Sequence, residues 1–116
     1  MAKNPVVHFE IGCTNVPATR EFLQGLFDWD FAGPEASPTI DSHSPGGLSG
    51  HLVGLGEEWG SYVTIYVQVE DLEASVQRTV ELGGKVLVEP VTVGDQGRFA
   101  WIAPPEGQIL GLWENP

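Results

Sequence analysis

Basic residues are scarce in this chain. Its 116 residues include 5 Lys and Arg against 16 Asp and Glu, a formal charge of −11. Nucleic acid needs a basic face for its phosphates, and an anionic membrane surface repels the same acidic chain, so neither is expected as a partner. Cysteine is nearly absent. Cys13 stands alone, which excludes an internal disulfide and any zinc site built from several thiols. No apolar run approaches the roughly 20 residues that span a bilayer. The opening MAKNPVVHF has no apolar stretch behind a basic start, so no secretory signal is expected. These absences point to a cytoplasmic protein of one domain, residues 1–116. With 41% hydrophobic residues, the chain can bury one core.

Glycine and proline are plentiful, at 15 and 9 residues, and they punctuate short segments. Residues 6–11 (VVHFEI) alternate, with Val7, Phe9 and Ile11 on one face and Val6, His8 and Glu10 on the other. A helix follows, capped by Thr14 or Asn15, with Pro17 in its first turn and a stripe of Phe22, Leu23, Leu26 and Phe27. Short strands are predicted near residues 29–32, 39–42 and 48–55. The order then repeats. Residues 61–69 (SYVTIYVQV) alternate, with Val63, Ile65, Val67 and Val69 on one face and Tyr62, Thr64, Tyr66 and Gln68 on the other. A helix over 72–82 begins beside Asp71, stops at Gly83-Gly84, and turns Leu72, Val76, Thr79 and Val80 inward. Strands over 85–91, 98–103 and 108–113 complete the half.

The halves superpose at an offset of 56 residues, which carries His8 onto Thr64, Glu10 onto Tyr66 and Asn15 onto Asp71. The predicted fold is α+β. Two β-α-β-β-β modules, about 5–56 and 60–115, are related by a pseudo-twofold axis. Their curved mixed sheets form a cleft and their helices lie outside.

Three stretches, VHFEIGCTNVPATREFLQGLFDWDF, YVTIYVQVEDLEASVQRTVELGGKVL and GRFAWIAPPEGQILGLWE, resemble the vicinal oxygen chelate superfamily. That is the group of glyoxalases, extradiol dioxygenases and bleomycin-resistance proteins, and the resemblance is strongest to small glyoxalase-like bacterial members. It covers nearly the whole chain except about residues 33–46. The superfamily hosts lyases, isomerases, oxygenases and binding proteins on one frame, so it identifies fold better than activity. In metal-dependent members the ligands sit on the first and last strands of each module. The resemblance carries those positions onto His8, Thr64, Gly111, and either Gly50 or His51. Thr64 is a poor ligand and Gly111 offers no side chain, so no metal cofactor is expected. His8, Glu10 and His51 are the residual candidates, if His51 faces the cleft.

Two alignments for His51 remain open. Matching Gly50 to Gly111 sends it to the helix side, whereas turning Leu48 and Leu52 toward the helix sends it to the cleft, the reading favoured here. Glu10 and Tyr66 occupy matched positions and would meet across the cleft, where a carboxylate beside a phenol can serve as a base. These two are the catalytic candidates. His8, His51, Thr64 and Gln68 are candidates for orienting a ligand, with Arg98 as an anchor for a carboxylate or a simple ion pair with Asp95. Trp101 and Trp113 are candidate apolar walls. Gly111 would leave room for a planar ligand. Trp59 would close over the cleft or meet a second subunit, and His43 reads as a solvated loop residue. The expected function is binding of a small organic ligand, cationic or aromatic, by a homodimer. The alternative is a glyoxalase-like lyase or related metal-dependent enzyme using His8 and Glu10.

Overall fold

Short alternating segments and two capped helices produce eleven elements in the computed structural model, which describes residues 4–116. They are β1 (Val6–Gly12), α1 (Val16–Leu26), β2 (Asp30–Ala32), β3 (Thr39–Asp41), β4 (Gly50–Val53), α2 (Gly56–Trp59), β5 (Tyr62–Gln68), α3 (Leu72–Glu81), β6 (Lys85–Val93), β7 (Gly97–Ala103) and β8 (Leu110–Glu114). The class is α+β, and each half runs β-α-β-β-β as expected. The single turn α2 was not anticipated, because four residues are too few to carry a periodic stripe. The repeat is exact at the strand ends: β1 and β5 start and stop 56 residues apart. The chain divides into two compact units, His8–Thr64 and a second made of residues up to Val7 with Ile65–Pro116.

In the first unit the strands lie in the order β2-β3-β4-β1. β1 and β4 are parallel and the other neighbours antiparallel. Asn15 caps α1, its Oδ1 accepting the Ala18 N–H at 3.0 Å. Val16 and Leu23 of α1 close over Cys13, Phe31, Ile40 and Leu52, with Phe9, Ile11 and Trp29 packed alongside. Fully burying a side chain such as Leu52 contributes roughly 1.5–3 kcal/mol. Only part of the expected α1 stripe joins this core. Phe22 and Leu26 stay 65% and 60% exposed, since the helix meets the sheet along Val16 and Leu23 and these two lie farther round its circumference.

The second unit repeats the pattern with strands β5-β8-β7-β6, β5 and β8 parallel and the rest antiparallel. Asp71 caps α3 by accepting the Ala74 N–H at 3.0 Å. Leu72 packs with Ala100, Ile102 and Leu112, and Val67, Val69, Val76 and Leu110 surround them. Two expected core positions fall outside. Val80 is exposed at the far end of α3, and Val63 is 73% exposed because α3 covers the end of β5 near Val67, not its start. Among the described residues no helix is long and apolar enough to cross a membrane.

Candidate functional site

The first unit gathers its polar side chains on the sheet face opposite α1. Phe9 and Ile11 join the helix core, so their neighbours His8 and Glu10 point the other way. The same parity decides His51. Leu52 is fully buried under α1, which turns His51 to the face of Glu10, its direct partner across the parallel β1–β4 pair. Tyr66 stands opposite Gly111 in the β5–β8 pair, so the counterpart of Gly111 is His51 and not Gly50.

Four side chains on this face form one hydrogen-bonded chain. Glu10 is only 2% exposed. Tyr62 Oη donates to its Oε2, and His51 Nε2 lies 2.9 Å from its Oε1. His51 Nδ1 in turn lies 2.7 Å from His8 Nε2, with ring centroids 4.9 Å apart. Tyr62 can reach Glu10 because its ring lies over Gly12, in space that any Cβ there would occupy. His51 keeps a quarter of its side chain open to solvent. Burial, reinforced by the neighbouring His51, holds His8 below its ordinary 6.5, with Glu10 acting in the opposite direction. Thr64 is buried within the same unit.

Tyr62 is the site residue that sequence reasoning passed over. Its phenol donates to Glu10. The available signal was Gly12, a strand-end glycine of the kind that admits a ring flat against the backbone.

Tyr66 engages its own unit. Its Oη accepts the Trp101 indole N–H at 2.8 Å, and Phe99 meets its ring edge-on at 6.3 Å. The Tyr66 ring itself covers Gly111, so the room anticipated there for a planar ligand is filled by protein. Trp101 is buried. Trp113 lies over Gly97, and its Nε1 donates to Asn115 Oδ1 at 2.9 Å. Gln68 stands opposite Trp113, and its backbone carbonyl accepts from Asn4 Nδ2 at 3.0 Å. Arg98 does not pair with Asp95. Its guanidinium lies between Glu73 and Glu114, at 3.1 Å from Glu114 Oε1, which raises the Arg98 pKa and lowers that of Glu73. An arginine held by two carboxylates is a poor anchor for a third. His43, read as solvated, pairs with Asp30 and Asp41.

A divalent metal needs its donors gathered around one point. His51 stands between His8 and Glu10 and uses one ring nitrogen on each, so the three donors form a chain and not a shell around one point. Thr64 and Gly111 add no charged donor. Among the described residues, carboxylates do converge at Asp71, Glu73 and Glu114. Each already has a partner there: Asp71 caps α3, Glu114 accepts the Leu72 N–H at 2.8 Å, and Glu73 pairs with Arg98. That cluster thus also serves as the ion-paired start of α3.

No family model matches the chain. CFP32 of Mycobacterium bovis, named as a glyoxylase, is 26% identical over 113 residues, covering 90% of this chain and 43% of its own length. The anthracycline biosynthesis protein DnrV of Streptomyces peucetius is 27% identical over 129 residues, covering 92% of this chain and 46% of its own. The chain thus spans less than half the length of these curated relatives. Among solved structures, the hypothetical protein BH1468 from Bacillus halodurans superposes with a TM-score of 0.72 at 18% identity, covering 99% of this chain and 96% of that one. A glyoxalase/bleomycin resistance protein/dioxygenase superfamily member from Vibrio splendidus gives 0.67 at 17% identity, with 98% and 100% covered. A methylmalonyl-CoA epimerase in complex with methylmalonyl-CoA gives 0.65 at 17% identity, with 98% and 96% covered.

Proposed function

We propose, from the premise that the chain is a member of the vicinal oxygen chelate superfamily, that it binds a small organic ligand against the face carrying His8 and His51. The observation that carries this reading is the hydrogen-bonded chain itself. It anchors in a buried carboxylate and ends in two imidazoles, of which His51 is partly open to solvent. A carboxylate held on both oxygens is a rigid support, and a rigid polar edge beside apolar strands is what a ligand site requires. Glu10 then acts behind the imidazoles, orienting them. No metal takes part in this reading, because the donors serve one another. The solved epimerase complex supports the ligand class only as a small organic molecule. The charge of −11 favours cationic or neutral ligands over anions. The binding unit is proposed to be a homodimer, supported by the exposed Phe22 and Leu26.

Tyramine and 4-hydroxyphenylacetate, which share a phenol and differ in charge, test this reading. The readout is the imidazole NMR signals of His8 and His51. Tyramine should shift both saturably and bind more tightly than the anion, with the difference shrinking as salt is added. Shifts confined to His43, or a preference for the anion, would count against the site. Stoichiometric zinc, nickel, manganese or iron in the purified protein that disappears in His8→Ala would move it to the metalloenzyme branch.

A further inference from the structure

The second unit has a polar and aromatic face of its own, turned away from α3. Val67 and Val69 of β5, Leu112 of β8 and Ala100 of β7 pack in the α3 core, so their strand neighbours Gln68, Trp113 and Phe99 point to the opposite side. Gln68 and Trp113 are direct partners across the parallel β5–β8 pair, and Phe99 is the partner of Trp113 on β7. Neighbouring strands lie about 4.8 Å apart, so the three side chains adjoin. All three are half-buried. Both polar ends of this row are fixed. The Gln68 N–H donates to Pro5 O at 2.9 Å, and its carbonyl accepts from Asn4 Nδ2 at 3.0 Å. The Trp113 indole fills the space that a Cβ at Gly97 would need, and its Nε1 donates to Asn115 Oδ1 at 2.9 Å.

What these two side chains leave unused is specific. Among the described residues the Gln68 side-chain amide has no hydrogen-bond partner, and no ring or cation stacks on the Trp113 indole. No buried side-chain nitrogen or oxygen lacks a partner among those residues, so the Gln68 amide reaches solvent. We propose that Gln68 and Trp113 form a second ligand site, for a flat heteroaromatic ring that carries a carboxamide and no negative charge. The electron-rich indole face takes a ring by offset stacking, and takes a cationic ring better still. The Gln68 amide offers one acceptor and two donors in a plane, which match the donors and acceptor of another carboxamide side by side. Anions are disfavoured. Arg98, the basic residue next to Phe99, is turned to the α3 side and held by Glu73 and Glu114, and the whole chain carries −11. This site lies within the second unit and does not depend on the face of His8 and His51.

The test uses three probes of one shape on the whole protein: nicotinamide, the cation 1-methylnicotinamide, and nicotinate, whose carboxylate replaces the amide. The readout is the indole N–H NMR signal of Trp113, assigned by its loss in Trp113→Phe. Both amides should shift that signal saturably, the cation binding more tightly. Nicotinate should bind about fivefold or more weakly than nicotinamide. Gln68→Ala should weaken nicotinamide by about fivefold and bring it level with nicotinate. The probe series needs no substitution, so it decides the matter even if Gln68→Ala fails to fold. A Trp113 signal unmoved by either amide, nicotinate binding as well as nicotinamide, or a Gln68→Ala protein that binds nicotinamide like wild type would overturn the proposal. The imidazole signals of His8 and His51 report the other site separately, so these failures leave that reading standing.

Discussion

His8 and His43 are the same side chain in opposite surroundings. His8 is partly buried beside His51, and burial is the larger cause of its lowered pKa. His43 is exposed in a left-handed backbone conformation, φ 57°, and its hydrogen bond to Asp30, helped by the charges of Asp41 and Asp30, raises its pKa. Asp30 and Asp41 are direct partners across β2 and β3, a like-charge pair that a protonated His43 relieves. An NMR titration should therefore give His43 a midpoint above the ordinary 6.5 and His8 a midpoint below it. The two act oppositely on stability. The contribution of His43 is fully present below 6.5 and is lost as pH rises through its folded value. That of His8 is present above 6.5 and is lost as pH falls toward its lower folded value. Urea midpoints compared across that range should show His43→Ala losing only the acid-side contribution. A flat difference between His43→Ala and wild type would contradict the assignment.

At the scale of elements, the repeat is carried by local chemistry. Asn15 and Asp71 stand 56 residues apart, and each accepts the N–H three residues on, at 3.0 Å. Such a bond satisfies one of the free donors at a helix start, and losing it typically costs about 1 kcal/mol. Asn15→Ala and Asp71→Ala should each lower the unfolding free energy by roughly that amount in chemical denaturation. A change within error at both sites would remove the caps from the account of the fold. A second recurring device pairs a tyrosine ring with a glycine: Tyr62 over Gly12, and Tyr66 over Gly111. In the first case the ring delivers a hydroxyl to Glu10, and in the second it receives the Trp101 N–H. The same packing thus holds a candidate site in one unit and closes off expected space in the other.

For the molecule as a whole, charge and exposed apolar surface act against each other. A charge of −11 keeps copies apart, while Phe22 and Leu26 leave a shallow apolar groove on α1 together with Ala18, Glu21 and Gly25. Self-association through apolar surface should therefore strengthen as salt screens the charge. Sedimentation at micromolar concentration should give a species of twice 12.5 kDa, more so at high salt. A single 12.5 kDa species under both conditions would argue against the homodimer.

The amino-acid sequence by itself determined what depends on near neighbours. Alternation over 6–11 and 61–69 marked two strands, Asn15 and Asp71 marked two helix starts, and the 56-residue offset marked the repeat. Each of these signals lies within a few residues of its effect, so no long-range contact is needed to produce it. The tertiary structure decided what depends on how strands pair. His51 faces Glu10 because β4 pairs with β1 at that register, and a slip of one residue would turn it under α1. Tyr62 supplies a phenol to Glu10 because a distant glycine makes room for its ring. Arg98 lost its expected partner to Glu73 and Glu114, residues 25 and 16 positions away. Side-chain direction in a sheet follows register, and register is a property of two segments that neither one encodes alone.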